Sequence, residues 1–243
     1  MHTSTSCDAT SSPDRGEAAP SLVALLHERV AMHADRPALT TPAAAQLMRA
    51  TPTAPSRWSW ADVATAALRL AERMEAEGLT RGDRVAHLGP PTADWVVTDL
   101  ACLLSGIVPV ALHVDMELAR QRQWCVDLAV KALVVTGHER DRLPTMPCPV
   151  LDLRHTSTSS LLAEQPLHEP SRLLSDLSQR VTACDPDSEA VILFSSGTTG
   201  RGRGIVHSQR SLASNAISAA QVFLEEPEDV RLAWLPMSHS LAR

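Results

Sequence analysis

Short apolar runs alternate with segments of helical period along most of this chain, and that alternation narrows the fold class more than any other feature. The helical segments are 21–34 (Leu22, Leu25, Leu26, Val30), 59–78 (Val63, Ala67, Leu70, Ala71, Met74), 92–105, 117–130 and 208–223. Between them lie runs of strand length at 84–88, 107–112, 131–136, 148–153 and 190–194. Arg36-Pro37-Ala38-Leu39 closes the first helix and opens a further strand. Ser59 is placed to cap the second helix and Gly78 to stop it. Strands alternating with helices predict an α/β domain with a mainly parallel, Rossmann-like layered sheet and flanking helices. The stretch 41–56 reads as a loop or insertion, and 154–186 as a polar connector around a short helix at 170–180.

Composition removes several functions. The net charge of −6, from 22 basic and 28 acidic side chains, leaves no basic footprint for nucleic acid. Residues 1–20 are rich in Ser, Thr, Asp, Ala and Pro and carry no apolar core, so they read as a disordered tail and not a secretory signal. The longest apolar stretch, Trp95 to Val114, is interrupted by Asp99, Gly106 and Pro109, which argues against a membrane span. Cys7, Cys102, Cys125, Cys148 and Cys184 show no paired or metal-ligand spacing, and no histidine cluster suggests a metal site. Cys102 and Cys125 fall in helical segments and read as buried free thiols, which points to a reducing, cytoplasmic compartment. Trp58, Trp60, Trp95 and Trp234 read as packing residues.

The chemistry concentrates in Ser195-Ser196-Gly197-Thr198-Thr199-Gly200-Arg201-Gly202-Arg203-Gly204, directly after the apolar run Ala190–Phe194. Glycines let a backbone approach a phosphate closely, hydroxyls add donors, and an arginine adds a permanent forked cation. The helix that follows is expected to add the positive end of its dipole. Ligands in open α/β sheets bind beyond the carboxyl ends of strands, and this loop follows such an end. A Walker A loop is one reading, since Gly197 and Gly202 have its spacing. However, Arg203 replaces the lysine and Gly204 the magnesium-binding hydroxyl residue. A plain surface turn is another reading.

A third is closer. Ser195 to Ile205 resembles the signature loop of the adenylate-forming enzymes: acyl-CoA synthetases, fatty acyl-AMP ligases, luciferases and peptide-synthetase adenylation domains. That signature reads Ser/Thr-Ser/Gly-Gly-Thr-Thr-Gly-any-Pro-Lys-Gly-Val/Ile. The chain departs from it twice, with Gly202 at the usual proline and Arg203 at the usual lysine. Downstream, Trp234-Leu235-Pro236-Met237-Ser238-His239 and Arg243 resemble the next motif of the long-chain branch. Upstream, Trp58-Ser59-Trp60-Ala61-Asp62-Val63, Gly82-Asp83-Arg84-Val85-Ala86 and Gly106-Ile107-Val108-Pro109-Val110 follow in the family's order.

The resemblance implies that 21–243 is the incomplete N-terminal part of an adenylate-forming enzyme, with the adenine-binding segment, ribose-binding aspartate and catalytic-lysine lid absent. Lys131, the only lysine, lies too early to be that catalytic residue. It implies ATP with Mg2+ as cofactor, a carboxylic acid (fatty, by the Leu-Pro-x-x-His motif) as substrate, and coenzyme A or a carrier-protein thiol as acceptor. Ser195, Ser196, Gly197, Thr198, Thr199, Gly200, Arg203 and Gly204 are then the phosphate-binding residues, with His239 lining the acyl and adenylate pocket. Arg201 is expected to be solvated and His207 structural. The chain alone is not expected to turn over. The alternatives are a truncated or degenerate nucleotide-binding module with a regulatory role, and an unrelated P-loop protein.

Overall fold

Ser21, Ser59, Thr92 and Ser208 each accept a hydrogen bond from the backbone N–H three residues on, and each begins a helix. Ser59 does more, because Asp62 returns a bond to the Ser59 N–H at 2.9 Å and completes a capping box. A computed structural model describes residues 20–41, 56–136, 145–151, 161, 170–195, 203–226, 228–233 and 238. The helices are α1 (Leu22–His33), α2 (Trp60–Ala76), α3 (Ala93–Ser105), α4 (Leu118–Asp127), α5 (Pro170–Ala183) and α6 (Gln209–Phe223). The strands are β1 (Pro37–Thr41), β2 (Ser56–Ser59), β3 (Arg84–Leu88), β4 (Val108–Leu112), β5 (Ala132–Val135), β6 (Val150–Leu151), β7 (Glu189–Ser195) and β8 (Arg203–Ser208).

Six strands form one sheet in the order β6-β5-β3-β4-β7-β8, all parallel except the antiparallel β7–β8 pair. β1 and β2 make a separate antiparallel pair. The expected mainly parallel α/β sheet is therefore present. From β3 the chain steps one way to β4, then back past β3 to β5. Right-handed crossovers in opposite directions put their helices on opposite faces. The core agrees. Ala101 and Cys102 of α3 pack with Val85, Ala132 and the inner faces of α1, α2 and α5. Cys125 of α4 packs with Ala86, Leu88, Val110, Leu133 and Ile192 from the other side. Alternate residues of one strand thus serve both layers, as a twofold side-chain period requires.

Most sequence boundaries hold within one or two residues, and the exceptions have physical causes. The helix expected at 117–130 ends at Asp127, because Ala129 turns through a left-handed conformation (φ 48°). That turn delivers the Lys131 N–H to the Arg84 carbonyl and starts β5. The connector around 170–180 contains a fourteen-residue helix, with Leu173 and Leu177 buried one turn apart. β2 was not anticipated; it lies where the sequence showed only a loop running into a helix cap. The insertion read at 41–56 and the tail at 1–20 lie outside the described residues but for residues 41 and 56 of the one and residue 20 of the other. No described helix is long and apolar enough to cross a membrane. Trp58 and Trp95 are buried and Trp60 packs against the core, as packing residues should. Cys102 and Cys125 are buried free thiols.

Candidate functional site

The apolar run of β7 is buried from Ala190 to Leu193, which places its carboxyl end on the same sheet edge as the ends of β3, β4 and β5. At that edge Ser195 pairs with Arg203 and Phe194 with Gly204, across the antiparallel β7–β8 ladder. Both ends of the Ser/Thr/Gly loop are held by this pairing. Ser196, Gly197, Thr198, Thr199 and Gly200, with Arg201 and Gly202, lie outside the described residues, as does the side chain of Ser195. His239 and Trp234 also lie outside them, whereas their neighbour Ser238 is buried.

The base of the loop is aromatic. Phe194 stacks on Trp124 of α4, with ring centroids 3.3 Å apart and planes 9° from parallel. Gly204 lies directly across the ladder from Phe194. A Cβ at Gly204 would meet Ile192 Cγ2 at 3.2 Å and the Phe194 ring at 3.6 Å. Gly204 therefore makes room for its cross-strand neighbours inside a strand, and its φ is not left-handed; the bare backbone here serves packing. Sequence reading missed the stack. The only signal for it was that Phe194 is one of two phenylalanines, set where a strand must leave a core.

Arg203 is exposed at the first position of β8. His207 is half-buried and pairs with Val191 in the ladder. The only lysine, Lys131, lies at the opposite edge, bonded through its N–H to Arg84 where β3 and β5 begin. Among the described residues no group of three His, Cys, Asp or Glu side chains is placed to hold a metal ion.

One expectation is overturned. The helix after the loop was expected to aim its positive end at bound phosphate, but β8 intervenes. Its six residues run the chain back down the sheet over about 20 Å at strand spacing. α6 starts at the far edge, where the Gln209 N–H reaches the Ser188 carbonyl. There Arg210 pairs with Asp187 at 2.7 and 3.0 Å, and that hydrogen bond holds the Asp187 carboxyl below its ordinary range. A Walker A loop joins a strand to a helix. This one joins two antiparallel strands, which removes the P-loop reading.

β7 and the returning strand β8 bracket the Ser/Thr/Gly segment at the carboxyl edge of the parallel strands. The profile of the family described as AMP-binding enzyme matches residues 26–243. The chain belongs to that family. Fatty acyl-CoA synthetase A of Dictyostelium discoideum is 25% identical over 190 residues, 68% of this chain and 27% of its own length. Indoleacetate–CoA ligase of Aromatoleum aromaticum is 27% identical over 188 residues, 74% of this chain and 36% of its own. Among solved structures, a fatty acyl-adenylate ligase from L. pneumophila, in complex with acyl adenylate and pyrophosphate, superposes with a TM-score of 0.71. That match has 19% identity and covers 91% of this chain and 36% of the other, so it speaks for the fold. The chain spans 27% and 36% of the length of the Dictyostelium and Aromatoleum relatives.

Proposed function

We propose that the AMP-binding chain takes part in activating a carboxylic acid with ATP. A carboxylate oxygen attacks the α-phosphorus of ATP, the bond to the β-phosphate oxygen breaks, and acyl-adenylate and pyrophosphate form. A thiol, on coenzyme A or a carrier protein, then takes the acyl group and releases AMP. The observation that supports this reading is the β7–β8 pairing, which sets Ser195 opposite Arg203, the two ends of the Ser/Thr/Gly segment, at the carboxyl edge of the parallel strands, where ligands bind in sheets of this kind.

In this reading Ser195, Ser196, Thr198 and Thr199 donate hydroxyl hydrogen bonds to the β- and γ-phosphates, and Gly197 and Gly200 let the backbone N–H groups approach. Arg203, exposed at the loop's exit, supplies the cation that a lysine supplies in the family signature. A guanidinium keeps the charge and binds phosphate through two donors. Donors aimed at charge growing on the departing pyrophosphate act mostly in the transition state. Bound with ATP, Mg2+ would neutralise part of the phosphate charge that the loop hydroxyls and Arg203 face. His239 lines the pocket for the acyl group and adenylate. A fatty acid is the substrate favoured by the Leu-Pro-Met-Ser-His sequence and by the similarity to the Dictyostelium fatty acyl-CoA synthetase. The cytoplasm, where coenzyme A and ATP are plentiful, is the compartment this chemistry fits.

The test is carboxylate-dependent exchange of labelled pyrophosphate into ATP, measured with fatty and aryl acids on the chain in its full-length context. Thr198→Val and Thr199→Val should each lower exchange by about tenfold or more, with unchanged unfolding curves. Tight ATP binding without exchange for any acid would sink the ligase reading and favour a nucleotide-binding module without catalysis.

A further inference from the structure

The inward face of α4 begins with a glutamine. Gln121 is 4% exposed, and Trp124 and Cys125 follow it, packed against the cluster that holds Leu112, Leu133 and Ile192. The Glu117 side chain makes no cap bond at the start of this helix. Gln121 ties the entry down instead, donating from Nε2 to the His113 carbonyl at 2.9 Å and to the Met116 carbonyl at 3.2 Å. Both carbonyls lie in the turn that leaves β4 at the carboxyl edge of the parallel strands. Three residues along the helix, Trp124 stacks on Phe194, the residue before Ser195 at the end of β7. β4 and β7 are parallel neighbours, with Val110 beside Ile192. One helix thus grips the ends of two adjacent strands, by paired hydrogen bonds on one and by a ring on the other. Burying an amide costs its hydration, so a buried glutamine with its donors on two turn carbonyls marks a geometry that apolar packing alone does not fix.

We infer that Gln121 and Trp124 are positioning residues for pyrophosphate capture, acting through the β4 turn and through Phe194. The inference rests on the ligase reading above and deepens it. Gln121 fixes the turn that stands beside the end of β7. Trp124 fixes the strand end from which Ser195 departs, and Phe194 lies across the ladder from Gly204, next to Arg203. Together they keep two neighbouring strand ends from shifting against one another. A misplacement of about 1 Å at a reacting site costs up to about a hundredfold in rate. Loss of either anchor should therefore weaken the hold on pyrophosphate, the group this edge is read as binding, and leave the hold on the carboxylic acid unchanged.

Pyrophosphate exchange is measured in the full-length context, with KM taken separately for pyrophosphate and for the acid. Gln121→Met keeps the shape and removes both donors; Trp124→Leu removes the stack. Each should raise KM for pyrophosphate about fivefold or more, with KM for the acid within about twofold. Trp124→Phe keeps a ring on Phe194 and should restore KM for pyrophosphate. Gln123→Met, on the exposed neighbour that bonds Asp127, should change neither constant. A merely structural role lowers the folded fraction, and so the apparent rate, while moving neither KM; that result in Gln121→Met and Trp124→Leu would overturn the inference. If Gln121→Met does not fold, the contrast between Trp124→Leu and Trp124→Phe decides alone. Absence of exchange with every acid would remove the ligase reading. Calorimetric titration with pyrophosphate would then test the positioning role by itself: weaker binding in Trp124→Leu than in Trp124→Phe supports it, and equal or no binding overturns it.

Discussion

Replacing Trp124 and Phe194 singly and together measures how firmly the base of the candidate loop is held. The two rings lie in contact, nearly parallel, and each is half-buried. Aromatic pairs of this kind contribute about 0.5–1.5 kcal/mol beyond the area they bury. Phe194→Leu keeps apolar volume but loses the stack and part of the cross-strand cover over Gly204, a cost of about 1–2 kcal/mol for a half-buried ring. Trp124→Leu loses the same stack and a larger apolar area, about 2 kcal/mol. The double variant loses the stack only once, so its destabilisation should fall short of the sum of the single changes by about 1 kcal/mol. Urea unfolding followed by far-ultraviolet circular dichroism is the assay, because tryptophan fluorescence changes with the substitution itself. Thermal midpoints should echo the result, at about 2–4 °C per kcal/mol for a chain of this size. Additivity within about 0.3 kcal/mol would mean that the rings only share a surface and that α4 does not brace the loop.

Ser59→Ala removes one arm of the capping box at the start of α2, and should cost about 1 kcal/mol in urea unfolding, with Ser59→Asp restoring most of it. Glu75 and Arg180 pair through two bonds of 2.5 and 3.0 Å between α2 and α5, and the bond from Arg180 lowers the Glu75 pKa from its ordinary 4.5. A lowered carboxyl contributes stability that is complete above pH 4.5 and is lost as pH falls through the folded value. With both side chains partly exposed the contribution is about 1 kcal/mol or less. Glu75→Gln should therefore narrow the gap in stability between pH 7 and pH 3, and an unchanged gap would remove the pair from the acid response.

The sequence disclosed the elements whose signals are local. Ser59 and Asp62 announce α2 because both partners of the box lie within one turn. Val108 to Leu112 announces a central strand because burial on both faces demands an unbroken apolar run, and Val85 to Leu88 does so although the buried His87 interrupts it. What stayed hidden depends on partners distant in sequence. β2 exists because β1 pairs with it across 42–55, and nothing in Ser56 to Ser59 alone requires a strand. α5 was legible only as a short helix at 170–180, because among Ser, Arg and Gln only a narrow leucine stripe, Leu173 and Leu177, meets the core. For the site, the sequence supplied donor types and their place after a strand, and pairing supplied the frame.

β8, legible in the sequence only as the strand-like pair Ile205-Val206, shows how the extent of one strand changes the chemistry to be expected. Arg203-Gly204-Ile205-Val206 lacks the alternation of a half-buried strand, because this edge leaves Ile205 47% and Val206 49% exposed, one on each face. Read without it, the Gly-rich loop runs into a helix and gains a dipole. Read with it, the loop returns along the sheet and the helix starts at the opposite edge, paired with Asp187. A dipole's influence fades within the first turn of its helix, so at about 20 Å it adds nothing to phosphate binding. Under the proposed function the electrostatic task of this hairpin, beside that of Mg2+, then falls on loop hydroxyls, loop N–H groups and Arg203. That makes the charge of Arg203 harder to spare than in a loop backed by a helix. Arg203→Lys should retain most pyrophosphate exchange and Arg203→Ala should lose it by about tenfold or more. Exchange that survives Arg203→Ala would show that another group carries the charge.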